Sequence, residues 1–261
     1  MNRWAAAVPW TTSCSEATPS PSSSFSTPPP APPERRRTPT MPLDAPKNPS
    51  RPPLPLLIGP EDIHLHQSLL WRIHRTAGEY PSAWNDFRSY GPLTTMRWDP
   101  HPGPVGDHPG HGVLYTATDL RTAVAEVFQA QRRVDPMGAG IAATTFVPVR
   151  PLRLLALLAE DSPWLLRNGA SHSLMAAPRD TCRAWAREIA RAEPADGRGP
   201  VDGLWAESTM TGRPMVVLFE RAASALPEEP RASALLAAPV MMTALADISA
   251  SLGWELAWPT A

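Results

Sequence analysis

Fifteen of the chain's 34 prolines fall before Leu56, and that asymmetry limits what can fold. Proline fixes φ and withholds a backbone donor, so a proline-dense stretch builds neither helix nor sheet. Residues 1–55 are also rich in Ser, Thr and Ala and carry few spaced apolar side chains. Such a segment buries too little apolar surface to offset the entropy of ordering it, and a disordered arm is expected there. Residues 56–261 are long enough for one domain with a sizeable core.

The formal net charge is -1. That balance argues against a general nucleic-acid binder. The one basic cluster, Arg35-Arg36-Arg37, lies in the arm, where a solvated tail is its ordinary role. Cys14 and Cys182 are too few for a disulfide framework, and Cys182 reads as a small packed hydrophobe on a helical pattern. Residues 235–246 are the most apolar stretch. Pro239 interrupts it and Asp247 closes it, so it is too short to span a bilayer. The N-terminus has Arg3 but only a short apolar run broken by Pro9, a poor match to a secretory signal. A cytoplasmic protein is the expectation.

Within the folded part, residues 112–128 read GVLYTATDLRTAVAEVF. A strand over Val113, Leu114 and Tyr115 leads through a polar step into a helix expected to reach about Arg133. Leu120, Ala123, Val124, Val127 and Phe128 share its apolar face, and Glu126 falls at the edge of that face. Strands are also expected over residues 70–74, 140–149, 152–158, 204–207 and 215–220. Residues 162–176 read as a short helix or irregular chain. A helix through Ala192 would be capped by Asp180. Residues 233–252 read as helical, with Pro239 at a boundary or kink. Strands outnumber helices and the two are mixed irregularly. The fold class is therefore α+β, a single mixed domain, not a doubly wound sheet.

No phosphate-binding glycine loop, GxSxG elbow or CxxC pair occurs. The loop carrying His101, Asp107, His108 and His111 has metal-ligand residue types. No regular element fixes their spacing, and a flexible Gly/Pro loop is the ordinary reading. Five other segments recur as a set: WRIHR (71–75), MRWDP (96–100), GVLYTATDLRTAVAEVF (112–128), DGLWAES (202–208) and MVVLFER (215–221). In their order and spacing they resemble the RES domain family, named for an Arg, a Glu and a Ser in that sequence. The resemblance spans roughly residues 65–254.

The resemblance implies a toxin of a bacterial toxin–antitoxin pair, with a fold like that of ADP-ribosyltransferases. Such toxins consume NAD by breaking its nicotinamide–ribose bond, in some cases by phosphorolysis, and some modify a protein. The implied partner is an Xre-type antitoxin that covers the active site. The family Arg corresponds to Arg72, with Arg75 as the alternative. Glu126 corresponds to the family Glu and Ser208 to the family Ser. Arg97 resembles a second recurrent Arg, and Tyr115 the Tyr of the VLY strand. Two positions depart from the pattern: Ala206 stands where a Tyr is common, and Thr209 where an Arg is common.

These residue types suit the implied chemistry. Planar guanidinium forks from Arg72, Arg97 or Arg75 could clamp the NAD pyrophosphate. Departure of nicotinamide builds positive charge at the ribose C1, which the Glu126 carboxylate would stabilise. Tyr115 could stack on the flat, cationic nicotinamide. Ser208 would act as a hydrogen-bond donor, because no His in a recognisable position activates it as a nucleophile. Nicotinamide leaves readily, so no metal is required. Water, inorganic phosphate or a protein side chain could accept the ADP-ribosyl group. No E-x-E pair lies near Glu126, which favours NAD breakdown over ADP-ribosylation of a protein. A non-catalytic binding module of the same fold is the remaining alternative, suggested by Ala206 and Thr209.

Overall fold

Residues 214–219 read PMVVLF, apolar at every position rather than at alternate ones. Such a run suits a strand covered on both faces. The computed structural model describes residues 46–137, 140–158 and 162–258, and this run lies at the middle of its main sheet. Met215, Val217 and Phe219 enter one apolar cluster with Leu204, Ala206, Trp185 and Ile189. Val216 and Leu218 enter a second, on the other face, with Trp205, Leu114 and Phe146.

The elements in chain order are β1 (Ile63–His66), β2 (Leu70–Arg75), β3 (Tyr90–Gly91), β4 (Gly106–Asp107), β5 (Val113–Ala117), α1 (Leu120–Phe128), β6 (Arg133–Val134) and β7 (Ile141–Phe146). There follow β8 (Leu152–Ala156), α2 (Trp164–Arg167), α3 (Arg179–Arg191), β9 (Gly203–Glu207), β10 (Pro214–Phe219), β11 (Ala232–Leu235), α4 (Pro239–Leu252) and β12 (Glu255–Leu256). Eight strands form one sheet in the order β1-β8-β9-β10-β5-β2-β7-β11. All its pairings are antiparallel except β8 with β9. A large mixed sheet with helices packed against it is α+β, as the irregular patterning predicts.

The sheet parts between β2 and β5. These strands share a single registered pair, Trp71 with Ala117. Beyond it the free edge of β5 is taken by Arg88, which exchanges backbone hydrogen bonds of 3.0 and 3.1 Å with Val113. The segment leading to Arg88 therefore wedges into the opening.

Several expectations are corrected. Helix α1 stops at Phe128 instead of about Arg133. Residues 129–133 read QAQRR and continue no large apolar stripe, so burial stabilises no further turn. Arg132 then takes a positive φ of 52° and the chain enters β6. Asp180 is not the cap of α3: Pro178 holds that position, and Asp180 sits in the first turn, where an acidic group suits the helix dipole. Residues 232–235 are a strand paired with β7, and Pro239 opens α4 at its first position, where no amide donor is missed. The 162–176 stretch holds α2 and a 3₁₀ turn, His172–Ala176.

The domain boundary also moves. Trp185 Nε1 donates to the Pro49 carbonyl at 3.0 Å, and the Ser171 amide donates to Asn48 Oδ1 at 2.9 Å. Residues 48 and 49, which composition assigns to the arm, are thus tied to the folded domain. The reading of residues 1–45 lies outside the described residues.

Candidate active site

Glu126 is positioned by the start of its helix. Asp119 caps α1 by accepting the Thr122 amide at 2.8 Å and the Thr122 hydroxyl at 2.9 Å. Val124 and Phe128, with Leu120, pack against Trp71, Ile73 and Ala143. That apolar stripe fixes the rotation of the helix. Thr122 and Glu126, one turn apart, then share a stripe that faces the turn at residues 208–213. Thr122 Oγ1 lies 3.0 Å from Thr211 Oγ1. Ser208 Oγ donates to Glu126 Oε1 at 2.6 Å. Gln129 Nε2 lies 3.2 Å from Oε2 and donates to the Glu126 carbonyl at 2.7 Å. Both oxygens of the half-buried carboxylate are held.

Ser208 is buried, and its surroundings follow from the sequence around it. Asp202 accepts both Nη atoms of Arg150, at 2.7 and 2.9 Å, and the Arg153 amide at 2.9 Å. This anchors the start of β9. Gly203 follows because a Cβ there would lie 2.1 Å from the Val217 carbonyl oxygen. Leu204 to Glu207 then carry the strand to Ser208. The Ser208 Oγ accepts the amides of Met210 and Thr211, each at 3.2 Å, in a side-chain-closed turn that returns to β10. The hydroxyl proton is directed at a carboxylate and its lone pairs at two amides. Ser208 therefore orients Glu126 and is not set up as a nucleophile. Of the two departures from the family pattern, Ala206 is fully buried within β9 and Thr209 is exposed. Neither displaces Ser208 from Glu126.

Tyr115 projects from β5 on the Ala206 face of the sheet, and its hydroxyl accepts the Trp98 amide at 3.0 Å. Burial pushes its phenol pKa up, Asp99 pushes it further, and Glu126 adds a smaller push. The hydroxyl stays neutral in the physiological range. The MRWDP segment is held in place residue by residue. Trp98 enters the core. Asp99, fully buried, accepts the Leu93 amide at 2.7 Å and Arg88 Nη2 at 3.2 Å, and pairs with His101 Nδ1. Burial alone would raise the Asp99 pKa, but His101, the Leu93 amide and Arg88 together hold it below the usual carboxylate range. Arg97 donates to the Ala177 carbonyl at 2.5 Å and lies 3.5 Å from Cys182 Sγ. Its guanidinium braces the loop against α3 and is not joined to Glu126. In the histidine loop, His108 Nε2 lies 2.8 Å from the Pro104 carbonyl, and among the described residues no His/Cys/Asp/Glu cluster is arranged to hold a metal.

Arg72 sits where the sheet parts. Its Nη1 donates to the carbonyls of Trp84 at 2.7 Å and Asp86 at 2.9 Å, holding the wedge segment. Burial lowers its pKa to about 10, against an opposing push from Asp86. Arg72 and Arg75 line a cleft of about 480 Å³ with Tyr80, Val127, Gln131 and Arg133. Glu126 and Ser208 are not among its lining residues, but Val127, next to Glu126, is. Four of the six candidate residues thus form two neighbouring groups, Glu126 with Ser208 and Arg72 with Arg75, while Tyr115 and Arg97 belong to neither. Residue patterns alone missed Thr122, Thr211 and Gln129. The signals were present: an N-cap Asp three residues before Thr122, its i+4 spacing to Glu126, and the turn-forming run STMTG at 208–212.

Comparison with sequence families matches residues 69–239 to the RES domain. The chain belongs to the RES domain family. The matched span contains Arg72, Glu126 and Ser208. No curated protein matches the chain. Among solved structures, this RES domain protein is similar to a chain of the M. tuberculosis MbcT–MbcA toxin–antitoxin complex, at 13% identity and a TM-score of 0.45, over 73% of this chain and 93% of that one. No helix among the described residues is long and apolar enough to cross a membrane.

Proposed function

We propose that this RES domain protein is a toxin-type enzyme that cleaves the nicotinamide–ribose bond of NAD. The observation that carries the reading is the 2.6 Å hydrogen bond from Ser208 to Glu126, between the two residues that the family's name pairs. A carboxylate with both oxygens oriented, on a helix locked by its apolar face, is a preorganised anionic group. In the reaction the C1–nitrogen bond breaks and nicotinamide leaves with the electron pair. Positive charge develops on the ribose, and Glu126 stabilises it while accepting a hydrogen bond from a ribose hydroxyl. Water or inorganic phosphate then forms the new bond at C1. Tyr115 would face the nicotinamide. Arg75 and Arg72, at the adjoining cleft, would meet the pyrophosphate. Arg97 contributes by holding the loop that carries Trp98 to Tyr115.

The parting of the sheet beside Arg72 suits an ADP-ribosyltransferase-like fold, and an Xre-type antitoxin covering the site belongs to the same reading. The test is NMR of NAD incubated with purified protein, with and without phosphate, beside a Glu126→Gln control. Nicotinamide release that the control lacks supports the proposal, and its phosphate dependence identifies the acceptor. Intact NAD with a well-folded protein overturns it.

A further inference from the structure

A second cleft lies beside the Phe219 end of β10. It has a volume of about 210 Å³ and is walled by the loop at His111, by α3 and by the chain leaving β10. Three arginines converge on it: Arg187 and Arg191, one turn apart on α3, and Arg221 just after β10. One carboxylate, that of Glu220, shares the wall, and it accepts the Gly112 amide at 2.7 Å. Ser208 adjoins the Pro214 end of β10 and this cleft adjoins the Phe219 end, so the two are roughly 15 Å apart along the strand.

The arginines are only partly used by the fold. Arg221 donates to the Ala190 carbonyl at 2.7 Å, which keeps its guanidinium beside α3. Arg191 meets Glu188 at 3.4 Å on the exposed side. The half-buried Arg187 makes no hydrogen bond or ion pair among the described residues. Of the three only Arg187 is half-buried, and it alone lacks a partner among the described residues; guanidinium groups this close repel one another, and their planar forks suit a tetrahedral oxyanion. Three positive charges stand against two carboxylates, Glu220 and the Glu188 that pairs with Arg191, a surplus of one. A phosphoryl group both neutralises that surplus and offers three oxygens to the forks, where a carboxylate offers two.

We infer that this cleft binds a phosphate-bearing anion, at a site separate from Glu126 and Ser208. The inference does not depend on the NAD reading. Its test is calorimetric titration of the full chain with sodium pyrophosphate and with sodium phosphate, at ionic strength held constant with sodium chloride. Wild type and Glu126→Gln should bind alike. Arg187→Gln should weaken binding by about tenfold or more, since it removes charge-assisted hydrogen bonds. Arg187→Lys, which keeps the charge and loses the fork, should fall between. If the Gln variant fails to fold, the Lys variant decides by the same criterion. The inference is overturned by a folded Arg187 variant that binds as well as wild type, or by loss of binding in Glu126→Gln. Binding that chloride abolishes at equal ionic strength, or capture of an acidic peptide but not of pyrophosphate, overturns it too.

Discussion

Thr122 Oγ1 lies 3.0 Å from Thr211 Oγ1, one helical turn before the carboxylate of Glu126 meets Ser208. Helix α1 is thereby joined to the 208–213 turn by two side chains at i and i+4. A single hydrogen bond would let the carboxylate pivot about it. Two, with the capping contacts of Asp119 behind them, set its direction. Glu126 and Ser208, 82 residues apart in the chain, are held in this structure as one unit.

Ser208→Ala should test that unit first. The substitution takes away the donor to Glu126 and leaves the Met210 and Thr211 amides without their acceptor. A hydrogen bond to a charged group is worth about 1.5–3 kcal/mol. NAD turnover should fall about 10–100-fold. Glu126→Gln should lower it further, by at least about 100-fold, because the charge itself is lost. Nicotinamide release measured over a single turnover checks both. Wild-type turnover in Ser208→Ala would remove Ser208 from the site.

Thr211→Val probes the second tether. A neutral hydrogen bond contributes about 1 kcal/mol, so turnover should fall only a few-fold by itself. Combined with Ser208→Ala, the two losses should not add, since both act on the direction of one carboxylate. A double-mutant cycle on turnover reads the coupling, and strict additivity would show that the tethers act independently.

Much of this arrangement was legible in the sequence where one physical demand dominated. The MVVLFE run announced a buried strand. The polar step before Leu120 announced the start of a helix, and the apolar stripe placed Glu126 at its edge. What stayed hidden depends on contacts between distant segments. Arg97 has the residue type of a phosphate clamp, yet its partners are Ala177 and Cys182, about 80 positions away. The strands either side of Pro151 are consecutive in the chain but separated in the sheet, β7 lying between β2 and β11 and β8 between β1 and β9. Local pattern specifies a strand without specifying its neighbour. Residues 48 and 49 looked like arm because their partners, Trp185 and Ser171, lie more than a hundred positions on.

Acid should expose the role of Asp99. Its folded pKa lies below the usual carboxylate range because His101, the Leu93 amide and Arg88 outweigh its burial. The stabilisation is therefore present above the unfolded pKa of about 3.9 and is lost as pH falls through the lower folded value. Asp99→Asn leaves Arg88 and His101 without their carboxylate and should cost about 3–5 kcal/mol at neutral pH. That difference should narrow as the pH is taken below about 4, where wild type surrenders the same interactions. Urea denaturation of both proteins at pH 7 and pH 3 checks it. A constant difference would show that Asp99 is not the group that titrates.

Restoring the family's residues at the two departures should give opposite results from what a damaged active site would show. Ala206 is fully buried on the face where Leu204, Met215 and Val217 pack. A Tyr there must displace those side chains, and Ala206→Tyr should destabilise the protein by about 1–3 kcal/mol. Thr209 is exposed in the turn. Thr209→Arg should leave stability within about 0.5 kcal/mol. Neither substitution touches the Ser208–Glu126 bond, so neither should raise NAD turnover per folded molecule. Melting temperature and turnover measured side by side separate the two effects. A marked gain in turnover from either variant would show that the present residues limit catalysis, and that the geometry at Ser208 is not sufficient for it.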